Sequence, residues 1–212
     1  MKKIAVTQRI ISNDSYFEER ETLDLRWGKL FKELNYIPII LPINIDFKKY
    51  FNNIDLSGII LTGGNDLSGF NQEDDDHSIL RDKFEFEILK FSEKNDIPIY
   101  GICRGMHVIA KYYGSSFKAI NNHVGVTHSI KPSKESKYNI ELSKIKTVNS
   151  YHNFSINKIG KSLMVSAVGQ DNSIEAIEHK KKKIFAQMWH SERKNPFDKN
   201  ELELIKSFFE ND

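Results

Sequence analysis

The pattern of apolar and polar positions changes character near Gly114. Before it stand four short runs rich in β-branched residues: "KIAVTQ" (3–8), "YIPIIL" (36–41), "SGIILTGG" (57–64) and "IPIYGI" (97–102). Each is apolar with little alternation, which predicts strands buried on both faces of a parallel sheet. Helical periodicity fills the gaps. Over residues 17–34, Leu23, Trp27, Leu30, Phe31 and Leu34 follow one another at helical spacings, and over residues 79–93 Leu80, Phe84, Ile88 and Leu89 do the same. The β-α-β-α-β alternation predicts an α/β fold, a three-layer sandwich with helices on both faces of a mostly parallel central sheet. After Gly114, "GVTHSIKP", "YNIEL", "LMVSAVG", "SIEAIEH" and "IFAQMWH" are separated by polar turns. They read as additional antiparallel strands or hairpin arms of the C-terminal half, and the lysines at 180–183 as a solvated turn between two of them. "DKNELELIKSFFEND" reads as a closing amphipathic helix, with Asp198 or Asn200 as its N-cap.

Composition narrows the class. The chain has 212 residues with no internal repeat and no linker-like stretch, so a single domain over residues 1–212 is expected. A net charge of +2 gives no reason to expect nucleic acid or a membrane surface as partner. "MKKIAVTQRI" turns polar too soon for a signal peptide, and no apolar run approaches the ~18 residues of a membrane span. A soluble, cytoplasmic protein is expected. The lone cysteine excludes an intrachain disulfide framework and any Cys-x-x-Cys metal pair.

That cysteine stands in Gly101-Ile102-Cys103-Arg104-Gly105, between a strand-like run and a helical pattern. The arrangement is the cysteine version of a nucleophile elbow, a turn so tight that glycines must flank it. It pushes the sulfur out at the carboxyl end of a strand, where open α/β sheets place ligands. The helix starting there aims free N–H groups and its positive dipole end at the sulfur, favouring thiolate. A thiolate nucleophile needs a base, and the base an orienting group. His190 and Glu192 follow the apolar run at 184–189, and alternate residues on extended backbone share a side, so Glu192 can reach the imidazole. "LTGGND" (61–66) supplies a Gly-Gly turn at a strand end, and the N–H groups of Gly64 and Arg104 are the natural oxyanion donors.

"LTGGND", "GICRGMH", "VNSYHN" and "AIEH…FAQMWHSE" follow one another as in the class I glutamine amidotransferase-like superfamily. The chain most resembles the free-standing γ-glutamyl hydrolase branch of that superfamily, from Ile4 to about Phe197. The resemblance implies Cys103 as nucleophile, His190 as base, Glu192 as its orienter, and Gly64 and Arg104 as oxyanion hole. It implies a small-molecule γ-glutamyl substrate bound by Gly63, Asn65, His107, Asn149, Ser150, Tyr151 and His152. It implies no cofactor and no metal. Arg104, where amidotransferase subunits more often carry Leu, favours the hydrolase branch. Two positions depart from the family pattern: His107 replaces the usual Gln after the elbow, and Ser191 the usual Pro between the triad His and Glu.

The implied reaction is hydrolysis of a γ-glutamyl amide-type bond through a glutamyl thioester, releasing glutamate. The alternatives are a glutaminase subunit of a two-chain amidotransferase and a non-catalytic binding or regulatory protein with this fold. Several basic residues fall in segments expected near the pocket: His107, His123, His128, His152, Lys118 and Lys131. They would suit an anionic phosphoryl leaving group. "EDDDH" (73–77) reads as a polar rim loop rather than a cation site, Trp27 as core, and a homodimer as compatible with the chain.

Overall fold

The computed structural model describes residues 1–13, 15–70 and 76–210. In chain order the elements are β1 (Lys3–Val6), β2 (Arg9–Ser12), β3 (Glu19–Thr22), α1 (Arg26–Leu34), β4 (Ile37–Ile40), α2 (Lys48–Asn53), β5 (Gly58–Leu61), α3 (Asp76–Asn95), β6 (Ile99–Ile102) and α4 (Arg104–Tyr112). There follow β7 (Ser116–Ala119), β8 (Val124–Pro132), α5 (Asn139–Lys144), β9 (Thr147–Tyr151), β10 (Phe154–Lys158), β11 (Leu163–Gly169), β12 (Ile174–His179), β13 (Ile184–Gln187) and α6 (Lys199–Glu210).

Nine strands form one sheet in the order β4-β1-β5-β6-β13-β12-β11-β8-β9. The pairings from β4 to β13 are parallel, and those from β13 onward antiparallel. Helices pack in two groups, α1 and α5 with α6, and α3 with α4. This is the mixed α/β architecture that the periodicity predicts. β6 lies between β5 and β13, so the ends of three adjacent parallel strands carry the Gly-Gly turn, Cys103 and His190.

Four expectations need correction. The helix over residues 17–34 is only α1; the hairpin β2–β3 precedes it, and Phe17 points into solvent. Asp24 sets the start, since its Oδ1 accepts the Arg26 N–H at 2.9 Å. "YIPIIL" is not buried on both faces: β4 is an edge strand with Ile37 and Ile40 partly exposed, which is also where Pro38 is tolerated. "YNIEL" is no strand; α5 covers most of it, burying Leu142 and leaving Ile140 in water. α3 forms as expected, but Leu80 lies partly exposed while Arg81, Asp82 and Glu85 are buried. Asp198 rather than Asn200 caps α6, accepting the Asn200 N–H at 2.8 Å. The lysines at 180–183 do form the turn between β12 and β13. Of "EDDDH", residues 73–75 lie outside the described residues, and His77 Nε2 faces Glu19 Oε1 at 2.7 Å.

Candidate active site

Cys103 occupies the junction of β6 and α4 with φ 53° and ψ −104°. Such backbone is costly for a residue with a Cβ and persists only where the surroundings over-determine it. Here the Cys103 N–H donates to Gln187 O of β13 at 2.8 Å. The flanking glycines answer to close approach. A Cβ on Gly101 would lie 2.8 Å from the Gly105 carbonyl carbon and from Ile109, and one on Gly105 would overlap the Leu61 carbonyl.

The residues expected as base and orienter, His190 and Glu192, come together through a turn and not through extended backbone. After His190 the chain turns through a single 3-10 turn, Ser191–Arg193. That turn brings Glu192 Oε1 to 2.6 Å from His190 Nδ1, which donates to it. All three triad side chains are buried. Burial pushes the Cys103 thiol up, but charge and a hydrogen bond from His190 outweigh it and leave the thiol below its ordinary value. Burial likewise pushes the His190 imidazole down, and the facing Cys103 and Glu192 charges reverse this, raising it to about 9. The pair is therefore poised as thiolate and imidazolium.

A cavity of about 250 Å³ opens over the triad, with Gly64, Asn65, Cys103, His107, Tyr151, His152 and Arg193 in its wall. A larger hollow of about 320 Å³, bordered by Lys137, Glu178 and Lys181, contains none of the triad. His107 is buried under Phe70 and Phe117, and burial lowers its pKa to about 3, with the neighbouring His152 charge adding to the effect. It is a neutral wall residue. Tyr151 meets the His190 ring edge-on and carries the Arg193 guanidinium over its face at 4.7 Å. Gly63 backs onto the His190 ring.

Other expected contacts are engaged elsewhere. The Asn65 amide is spent on β2, exchanging hydrogen bonds with the Ile10 N–H and C=O at 3.0 Å each. Asn149 clamps the His190 backbone: its Oδ1 accepts the N–H and its Nδ2 donates to the C=O, both at 2.8 Å. Ser150 is fully buried and donates to His123 O at 2.7 Å. Neither Asn149 nor Ser150 lines the cavity. Lys118 and Lys131 are exposed, and His123 and His128 lie behind the wall rather than in it. Trp27 is core, and it also borders a small hollow beneath His190 and Glu192.

Three supporting residues escape a sequence reading. Arg81 reaches from α3 under the Gly-Gly turn and donates to the carbonyls of Thr62, Gly63 and Gly64 at 3.3, 3.3 and 3.0 Å. Glu85 pairs with Arg81 at 3.0 Å and with Arg104, whose other arm holds Asp82 at 2.5 Å. Gln187 Nε2 secures the triad turn by donating to Trp189 O and Ser191 Oγ. No local signal marks them, because α3 carries charged residues along its whole length and Gln187 ends an apolar strand.

The model of the peptidase C26 family matches residues 4–192. A Campylobacter jejuni protein, γ-glutamyl-CDP-amidate hydrolase, is 41% identical over 97% of this chain and 96% of its own length. Among solved structures, one from Thermoplasma acidophilum superposes with a TM-score of 0.73 at 19% identity over 99% of this chain and 92% of that one. A glutamine amidotransferase from Thermotoga maritima gives 0.66 at 15% identity over 97% and 83%. At such identities the structures speak for the fold alone. Among the described residues, no helix is long and apolar enough to cross a membrane.

Proposed function

This chain belongs to the peptidase C26 family, and from that premise we propose that it hydrolyses a γ-glutamyl amide-type bond whose leaving group is a nucleotide phosphoramidate. The observation that carries the reading is the buried Cys103–His190–Glu192 relay at a strained elbow. The Cys103 thiolate attacks the γ-carbonyl carbon, and the carbonyl oxygen takes the negative charge. Two N–H groups meet that oxygen. The Arg104 N–H opens α4, where no earlier turn offers it a carbonyl. The Gly64 N–H is aimed by Arg81: in a planar trans peptide N–H and C=O point oppositely, and Arg81 holds the Gly63 C=O on its own side.

The His190 imidazolium gives its proton to the leaving nitrogen, which departs and leaves a glutamyl thioester. Neutral His190 then takes a proton from water, which attacks the thioester; glutamate leaves and the thiolate returns. Arg193 and His152 bring positive charge to a wall that also holds the Asp66 carboxylate, and they suit an anionic leaving group such as γ-glutamyl-CDP-amidate would carry. The CDP-amidate released would serve capsule phosphoramidate synthesis. The protein acts as a single domain in the cytoplasm, without a second catalytic chain.

Glutamate release from a panel of glutamine, γ-glutamyl-aminobutyrate and γ-glutamyl-CDP-amidate tests this. The CDP-linked compound should exceed glutamine at least about a hundredfold in kcat/KM, about 2.7 kcal/mol of discrimination. Equal efficiency on glutamine would make the protein a glutaminase, and equal efficiency on the aminobutyrate an ordinary amine-releasing hydrolase. Cys103→Ser should lose at least about a thousandfold in turnover while staying folded.

A further inference from the structure

Behind the cavity wall lies a polar cluster that the triad mechanism does not use. Glu175 of β12 is fully buried, and its Oε2 has no hydrogen-bond partner. Among the described residues the bases that face it are all histidines: His152 Nε2 at 3.6 Å, His123 Nδ1 at 3.7 Å and His128 Nε2 at 3.8 Å. No guanidinium or ammonium of the described residues compensates it. A buried carboxylate left uncompensated costs several kcal/mol, so at least one of these imidazoles must carry the counter-charge.

Hydrogen bonds identify which. His152 Nδ1 lies 2.9 Å from Phe154 O, an acceptor only, so Nδ1 carries a proton. His123 Nε2 lies 3.0 Å from the Asp171 carboxylate and must carry one too. The inner nitrogens, His123 Nδ1 and His152 Nε2, then face each other at 3.2 Å. Ser150 Oγ lies 3.2 Å from His123 Nδ1 but cannot donate to it, because its hydroxyl proton goes to His123 O at 2.7 Å. Two bare lone pairs at that separation would repel, whereas one proton between them makes a hydrogen bond. The 3.8 Å from His128 to Glu175 is too long for such a bond, and His128 Nδ1 already faces Ser129 O at 3.1 Å.

We propose that His123 and His152 share one excess proton, with buried Glu175 as its counter-charge, and that this imidazole–imidazolium pair is a fixed positive charge held against Cys103. His152 lines the same cavity as Cys103, with both ring nitrogens engaged away from it. It therefore acts on the sulfur by charge alone, from a different part of the wall than His190. Glu175 and His123 are positioning residues that act through His152. The directions of the two titrations agree. Burial works against charge on His152, yet the nearby Glu175 carboxylate raises its pKa, and the His152 charge in turn helps lower the Cys103 thiol. The remaining charged or titratable neighbours are Asp171 beyond His123 and neutral His107 in the wall.

This deepens the reading of Cys103 as nucleophile, and its test needs no substrate, so a wrong leaving group would leave it standing. Cys103 is the chain's only cysteine, so iodoacetamide alkylation reports one thiolate. Following the alkylation rate against pH, Glu175→Gln should raise the midpoint by about one unit, slowing alkylation roughly tenfold on the acid side. Glu175→Asp should restore most of it. A folded Glu175→Gln protein with the wild-type midpoint would overturn the proposal. Ring 15N spectra of the wild-type protein at pH 7 decide independently of whether the variant folds. Three protons over the four nitrogens of the pair are expected, and two would overturn it. Stoichiometric zinc in the purified protein would overturn it as well, since the ion would take the proton's place.

Discussion

Two buried ionic clusters flank the elbow, and they are built on different bases. Between α3 and α4, Arg81 and Arg104 share Glu85, and Arg104 and Lys111 share Asp82. Behind the opposite wall, Glu175 is shared among His123, His128 and His152. Guanidinium stays charged at any working pH, so the first cluster can only hold things in place: Arg81 the Gly-Gly turn, Arg104 the start of α4. Imidazole gains and loses its proton near neutrality, so the second can set a charge that the chemistry feels. Glu85 and Glu175 are both fully buried; the choice of base decides whether the cluster only braces the fold or also sets a charge at the sulfur.

The largest effect should come from breaking the first cluster. Glu85→Gln leaves two guanidinium groups without their shared partner, and a loss of about 3–5 kcal/mol is expected in urea unfolding. The folded fraction should keep the wild-type midpoint of Cys103 alkylation. A loss below about 1 kcal/mol, within the range of surface pairs, would dissolve the distinction between the clusters.

Acid and alkali should separate the clusters in the wild-type protein. Burial pushes the Glu85 carboxyl up, but Arg104 and Arg81 more than reverse this, so its folded value lies below the ordinary one. Its stabilisation is present above the ordinary value of 4.5 and is lost as pH falls through the lower folded value. His152 has the opposite sign: raised in the fold, it stabilises fully below 6.5 and loses this as pH rises through its folded value. Unfolding free energy followed against pH should therefore fall on both flanks. A Glu85→Gln protein with an unchanged acid flank would break the assignment.

Catalysis should respond on the alkaline side at a smaller scale. The imidazolium of His190 persists to about pH 9, so kcat/KM should decline only as pH rises through that value. A decline centred near 6.5 would mean that His190 works without the thiolate–imidazolium pairing. Smallest of all should be His128→Asn. Its ring stands 3.8 Å from Glu175, outside hydrogen-bonding range, and alkylation of Cys103 should change less than about twofold. A tenfold change would move the shared proton from the His123–His152 gap to His128.

How much of this was legible follows from how far apart the cooperating residues lie. The elbow could be read because its parts are consecutive: a buried strand, glycines where neighbouring atoms leave no room for a Cβ, and a helix beginning at once. His190 and Glu192 could be read because they are two residues apart, although a 3-10 turn rather than extended backbone joins them. Position within the sheet had no such local mark. "YIPIIL" has the composition of a central strand and lies at the edge, and "YNIEL" alternates like a strand and is a helix.

By itself, then, the sequence determined the alternation of strands and helices, the elbow at Cys103 and the pairing of His190 with Glu192, because these depend on residues near one another in the chain. Tertiary structure decided the two clusters. A charged residue in a helix reads as solvated until its surroundings are known: Arg81 and Glu85 are an i, i+4 pair within α3, and only the crossing of α3 with α4 buries them against Arg104. His123, His152 and Glu175 come from three segments that only the pairing of β8 with β9 and β11, and of β11 with β12, brings together. Periodicity reports which positions leave water, and it carries no information about which charges meet once they have left it.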